Sequence, residues 1–198
     1  MKTLSALSHR RATRHSDHEA TLRTWLRSDA SRMRALRLAA ELDLEDWCLA
    51  AGFVRNLVWD KLHDKLTPSP LNDLDLIHYA PTRTCQKSDA AIQHFLEQQS
   101  PLPWSVKNQA RMHIRNHDDP YTSTADAMSY WVELETAVGV RLSRDQEIEL
   151  IAPFGLAPLF AGTITLNPKS GKADAFRQRV EEKAWLAHWP KLKVQQHP

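Results

Sequence analysis

The stretch 72-NDLDLIHY-79 constrains the fold more than any other part of the chain. Two carboxylates, Asp73 and Asp75, alternate with leucines at the head of an apolar run, a period-2 pattern that suits a strand and not a helix. Successive strand side chains point to opposite faces, so Asp73 and Asp75 share one side while Leu74 and Leu76 take the other. Two carboxylates held that close repel, and both ionise only with a positive partner nearby. A bound divalent cation is one such partner; a solvated strand end, where two acids cost little, is the other reading.

The chain around this strand has room for one sizeable core. It has 198 residues, 42% hydrophobic and 25% charged, and its longest apolar runs are far short of a membrane span. A formal charge of +2 is too small to argue for a nucleic-acid partner. Residues 1–18, rich in His, Arg and Ser and without the apolar core of a secretory signal, are predicted to be a disordered extension, leaving 19–198 as a single domain. Cys48 and Cys85 have no CxxC spacing; Cys48 reads as a buried small hydrophobe, Cys85 lies in a polar connection, and a reducing cytoplasm is expected.

Helical and extended signals alternate along the chain without an internal repeat. Opening helices are predicted from Thr21 to about Glu41, with Ser28 or Asp29 able to restart the second as N-cap. Strands are expected at 47-WCLAAG-52, 74-LDLIHY-79, 104-WSVKN-108 and 148-IELIA-152. Helices are expected at 53-FVRNLVWDKLH-63, at 88-SDAAIQHFLEQQ-99 with its own cap, from Tyr121 to Glu133, and from Asp174, as N-cap, to His188. Interleaved strands and helices imply an α/β or α+β domain with a central mixed sheet. Most of the seven tryptophans fall at apolar positions of these elements and read as packing, not base stacking; Trp185 and Trp189 are expected to dock a closing helix stopped by Pro190.

Gly52 stands between a strand and a helix, where a glycine can take backbone angles other residues avoid and let a phosphate approach the helix N-terminus. An ordinary tight turn is the plainer reading. Its company favours the first: Arg55 and Asn56 follow on the first turns of the helix, able to meet a phosphate or orient the acidic strand.

The pattern 51-AGFVRNLVWDKL-62 followed by 71-LNDLDLI-77 resembles the GG-x-VRD then DxD signature of the polymerase β nucleotidyltransferase superfamily, particularly the head domain of transfer-RNA nucleotidyltransferases and related poly(A) polymerases. The later segments 122-TSTADAMSYW-131 and 148-IELIAPFGLAPLFAG-162 extend the likeness less closely to their RRDFTINALAY and DPFGGLEDL segments. GFVRN, LNDLDLI, WSVKNQARMH and APFGL together are similar to a small bacterial family of stand-alone nucleotidyltransferase-like proteins, over roughly Leu22 to Leu192. The resemblance implies an α+β, polymerase β-like fold with a central mixed sheet flanked by helices. It also implies transfer of a nucleoside monophosphate from an NTP to an acceptor hydroxyl on a small molecule, a protein or RNA.

In-line displacement of that kind uses two metal ions about 3.5–4 Å apart, bridged by carboxylates. Asp73 and Asp75 are the candidate catalytic and metal ligands, holding Mg2+ as a two-metal site only when NTP is bound. Gly52, Arg55, Asn56, Lys107, Asn108 and Arg111 are the candidate nucleotide-binding residues, the last three from the polar and basic run 107-KNQARMHIRNH-117, whose other reading is a solvated connection. By the resemblance, the third strand should supply another acid, and Ser105 stands at that position; Glu149, Asp118 and Asp119 are possible substitutes. One catalytic-type domain without a long helical neck, body and tail argues against a full transfer-RNA enzyme. The alternative function is a nucleotide-binding or regulatory protein that keeps the fold and has lost turnover with its third carboxylate.

Overall fold

The computed structural model describes residues 17–195. Of the expected disordered extension, residues 1–16 lie outside the described residues, and 17 and 18 belong to helix α1, which occupies 17–28. Asp29 then accepts from the Arg32 N–H at 2.9 Å and so caps α2 (Ala30–Ala40). From there the chain alternates: β1 (Cys48–Ala50), α3 (Gly52–Leu62), β2 (Leu74–His78), α4 (Gln86–Gln99) and β3 (Trp104–Asn108). A 3-10 turn (Gln109–Arg111) leads into α5 (Met112–Asn116) and α6 (Thr124–Met128). The remainder is β4 (Gly139–Leu142), β5 (Ile148–Ile151), α7 (Ala157–Phe160), β6 (Thr163–Thr165), α8 (Ala173–Glu182), α9 (Trp185–His188) and β7 (Lys193–Gln195).

Five strands form one mixed sheet in the order β3-β2-β1-β4-β5, with only β2 and β3 parallel. A parallel pair needs a crossover, and α4 provides it. The sheet buries Leu74, Leu76, Trp104 and Val106 in the main core, with residues of α1 to α4. On the other face Cys48, Ala50 and Ile77 pack with Met128 and Ala137 in a smaller cluster. Gly139 lets β4 and β1 meet, since a Cβ there would lie 2.6 Å from Cys48 Sγ. Both cysteines are free, Cys48 buried and Cys85 exposed. No helix among the described residues is long and apolar enough to cross a membrane.

Three helix expectations are corrected. The span from Tyr121 to Glu133 holds only the five-residue α6, because Asn167 donates to the carbonyls of Ser129 and Trp131 at 2.8 and 2.7 Å and pulls the following chain toward β6. The segment from Asp174 to His188 is broken: Ala184 takes φ 48°, a left-handed conformation, and separates α8 from α9. The break lets Trp185 and Trp189 both pack edge-on against Trp59, at 5.7 and 5.2 Å between ring centroids. Asp174 lies inside α8 and pairs with Arg177, and Lys172 holds the cap position. Helix α4 starts at Gln86, so Ser88 and Asp89 do not cap it, and Asp89 turns inward.

Candidate active site

Register decides what β2 and β3 present together. Asp75 pairs with Ser105 and Ile77 with Lys107, so Asp75, Ser105 and Lys107 project from one face. Asp73 immediately precedes β2, and both aspartates line a cleft of about 550 Å³. Lys107 Nζ lies 3.8 Å from Asp75 Oδ1 and donates to Ser105 Oγ at 2.7 Å. Burial, followed by the negative charge of Asp73, raises the Asp75 pKa above the ordinary carboxylate range, against the opposing pull of Lys107, Ser105 and Arg55. Burial and Asp73 thus disfavour the charged form of Asp75 more than Lys107, Ser105 and Arg55 favour it.

The turn from β1 into α3 forms the adjoining wall. The residue with unusual backbone angles is Ala51, at φ 55° and ψ −120°, a conformation that favours glycine. Gly52 is not in that region, which corrects the sequence expectation. A Cβ on Gly52 would meet the side chains of Asn56 and Arg55 at 3.5 and 3.6 Å, ordinary contact distances, so the surrounding protein does not demand a glycine there. No side-chain cap satisfies the first turn of α3, and its N-terminus opens on the cleft with the positive end of the helix dipole.

Arg55 is buried beneath this turn. Its guanidinium lies over the rings of Trp59 and Trp185, at 5.0 and 4.8 Å, and donates to Thr136 Oγ1 at 2.8 Å and Asn56 Oδ1 at 3.1 Å. Burial lowers its pKa to about 10, which leaves it charged at neutral pH. Arg55 thus fixes a positive charge and carries Asn56 with it.

The far wall was not assigned to the site from the sequence. Residues 130–133 line the cleft, along with Lys172, Arg179, Lys183 and Trp185. Glu133 is buried and accepts from Arg179 Nε at 2.7 Å and NH2 at 3.2 Å, tying α8 to the chain after α6. The basic and aromatic character of 183-KAWLAHWPKL-192 was the available signal for this wall; nothing local marks Glu133.

Two candidate nucleotide-binding residues lie elsewhere. Asn108 is fully buried on the opposite face of β3, where its amide donates to the carbonyls of Ala80 and Arg83 and accepts from the Ala80 and Ala110 N–H groups. Arg111 is paired with Asp89 beneath α4. Neither lines the cleft, whereas Gly52, Arg55, Asn56 and Lys107 do. The substitutes for a third acid are also elsewhere: Glu149 pairs with Arg141 on β4, Asp118 pairs with Lys172, and neither these nor Asp119 lines the cleft. Among the described residues no three His, Cys, Asp or Glu side chains converge as a metal cluster. The two carboxylates Asp73 and Asp75 on one cleft nevertheless suit a hard cation that takes its other ligands from water and a phosphate.

A family model described as nucleotidyltransferase matches residues 37–194. The chain belongs to that nucleotidyltransferase family. Among solved structures, this nucleotidyltransferase is similar at TM-score 0.79 and 30% identity to a protein whose NMR structure reveals a CCA-adding enzyme head domain, covering 89% of this chain and 95% of that one. It shares its fold, at 13% identity, with CCA-adding enzymes solved with CTP (TM-score 0.58, 89% of this chain and 43% of the other) and with ATP (TM-score 0.54, 87% and 41%). The nucleotidyltransferase therefore spans less than half the length of those enzymes. No curated protein matches its sequence.

Proposed function

We propose that this nucleotidyltransferase moves a nucleoside monophosphate from an NTP to an acceptor hydroxyl in a magnesium-dependent reaction. The observation that carries the reading is the convergence of Asp73 and Asp75 with the uncapped N-terminus of α3 on one cleft. The helix end and Arg55 favour the triphosphate; the two carboxylates favour the cation that accompanies it. The solved complexes of CCA-adding enzymes with CTP and ATP support an NTP as donor.

In the transfer, the acceptor oxygen bonds to the α-phosphorus as the bond to the pyrophosphate oxygen breaks. Pyrophosphate leaves with that electron pair and the hydroxyl proton passes to water. Magnesium, when bound, supplies charge neutralisation for the attacking and leaving oxygens. The chain's own residues orient the phosphates and exclude alternative poses, and the acceptor is a small molecule, a protein or RNA. Calorimetry with ATP and CTP should give binding that requires magnesium and disappears with EDTA or in Asp73→Ala. A labelled-NTP assay across acceptor classes then tests transfer. Magnesium-dependent binding without product in any class favours the regulatory alternative, and unchanged affinity in Asp73→Ala removes the aspartates from the site.

A further inference from the structure

The side chain of Lys107 reaches over Ser105, the position at which the resemblance leads one to expect an acid. Ser105, directly opposite Asp75 in the parallel ladder, is neutral, and the ammonium of Lys107 leans back over it at 2.7 Å to stand 3.8 Å from Asp75 Oδ1. The third strand thus brings a positive charge to the carboxylates where a third negative one would hold a second cation. A divalent ion placed beside Asp75 on that side would face an ammonium at close range, and the two positive charges would repel. The strand fixes the Lys107 backbone, and the half-exposed side chain reaches Asp75 by way of its hydrogen bond to Ser105.

We propose that Lys107 takes the place of one of two divalent ions, so that the site works with a single metal ion and a built-in ammonium. This rests on the reading of the cleft as an NTP site. Lys107 stabilises the α-phosphate oxygens as the acceptor oxygen bonds to phosphorus and pyrophosphate departs. Asp73 and Asp75 hold the one ion that accompanies the triphosphate.

The test counts ions. Manganese replaces magnesium, and free Mn2+ is followed by electron paramagnetic resonance as it is titrated into protein saturated with α,β-methylene-ATP, corrected for Mn2+ held by free analogue. The wild type should bind one ion per chain, and the double variant Lys107→Ala with Ser105→Asp should bind two. Two ions of similar affinity in the wild type overturn the proposal, as does a folded double variant that still binds one. The wild-type count needs no variant, so it decides even where the double substitution does not fold. A failure of the underlying site reading looks different: no Mn2+ and no analogue bind to the wild type.

Discussion

Asp75 and Asp89 serve the same pair of strands from opposite faces, and their surroundings treat charge in opposite ways. Asp89 is buried on the inward face of α4's first turn, accepts from the Asn108 N–H at 2.8 Å and from His78 Nε2 at 3.2 Å, and pairs with Arg111. Burial alone would raise its pKa; the bonds from His78 and Asn108 and the charge of Arg111 outweigh it and hold the carboxyl below its ordinary range. Asp75 has a neighbouring acid, one hydroxyl and a lysine at 3.8 Å, and its pKa is raised. Where the fold uses a carboxylate for itself, it supplies every partner. Where it leaves one short, the proposed cation would complete the set.

Removing each acid should separate the two roles. Asp89→Ala leaves the Asn108 N–H, His78 and Arg111 without their acceptor and should cost about 3 kcal/mol in urea unfolding. Asp75→Asn should cost nothing at pH 7 or raise stability, because it removes a crowded charge, while abolishing magnesium-dependent ATP binding. Equal losses of stability in both variants would break the comparison.

The pH dependence should differ in sign. For Asp75 the folded pKa lies above the unfolded one, so its contribution to stability falls as pH rises from the ordinary carboxylate range through the raised value. Asp75→Asn should therefore gain on the wild type across that window. For Asp89 the folded pKa is depressed; its stabilisation is complete above the ordinary range and is lost as pH falls through the folded value. Asp89→Asn should thus show its largest deficit near neutrality and converge on the wild type in acid. Urea midpoints over roughly pH 3 to 8 check both signs.

The smallest effect concerns the backbone on the cleft side. Ala51 at φ 55° is strained by about 1–3 kcal/mol, and a glycine recovers this less its greater unfolded-state entropy of about 0.5–1 kcal/mol. Ala51→Gly should stabilise the protein by about 1 kcal/mol. A loss of stability would mean the turn holds Ala51 without strain, and only the opposite pKa directions of Asp75 and Asp89 would then distinguish the cleft from the opposite face.

Much of the central sheet was legible because its signals are local. The period-2 acids and the apolar runs at β1, β2 and β3 needed no distant partner to be read. Strand parity sets Lys107 and Asn108 on opposite faces, but choosing the face that meets Asp75 requires the β2–β3 register. The short strands β6 and β7 pair across about thirty residues, and β4 depends on a glycine whose need is set by Cys48. Glu133 and Arg179 acquire their role only when the chain after α6 meets α8. The interruption of that predicted helix depended on Asn167, a residue with no mark of its own in the sequence.

The wall around the kink at Ala184 is also the last part of the cleft to be synthesised. Trp185, the aromatic cover on Arg55, follows Asp75 by roughly 110 residues, so the acidic strand leaves the ribosome long before the wall that completes the cleft. A nascent chain halted before Trp185 carries the acids and the helix end but lacks one side of the pocket. Translation order thereby delays a finished cleft until α8 and α9 can dock.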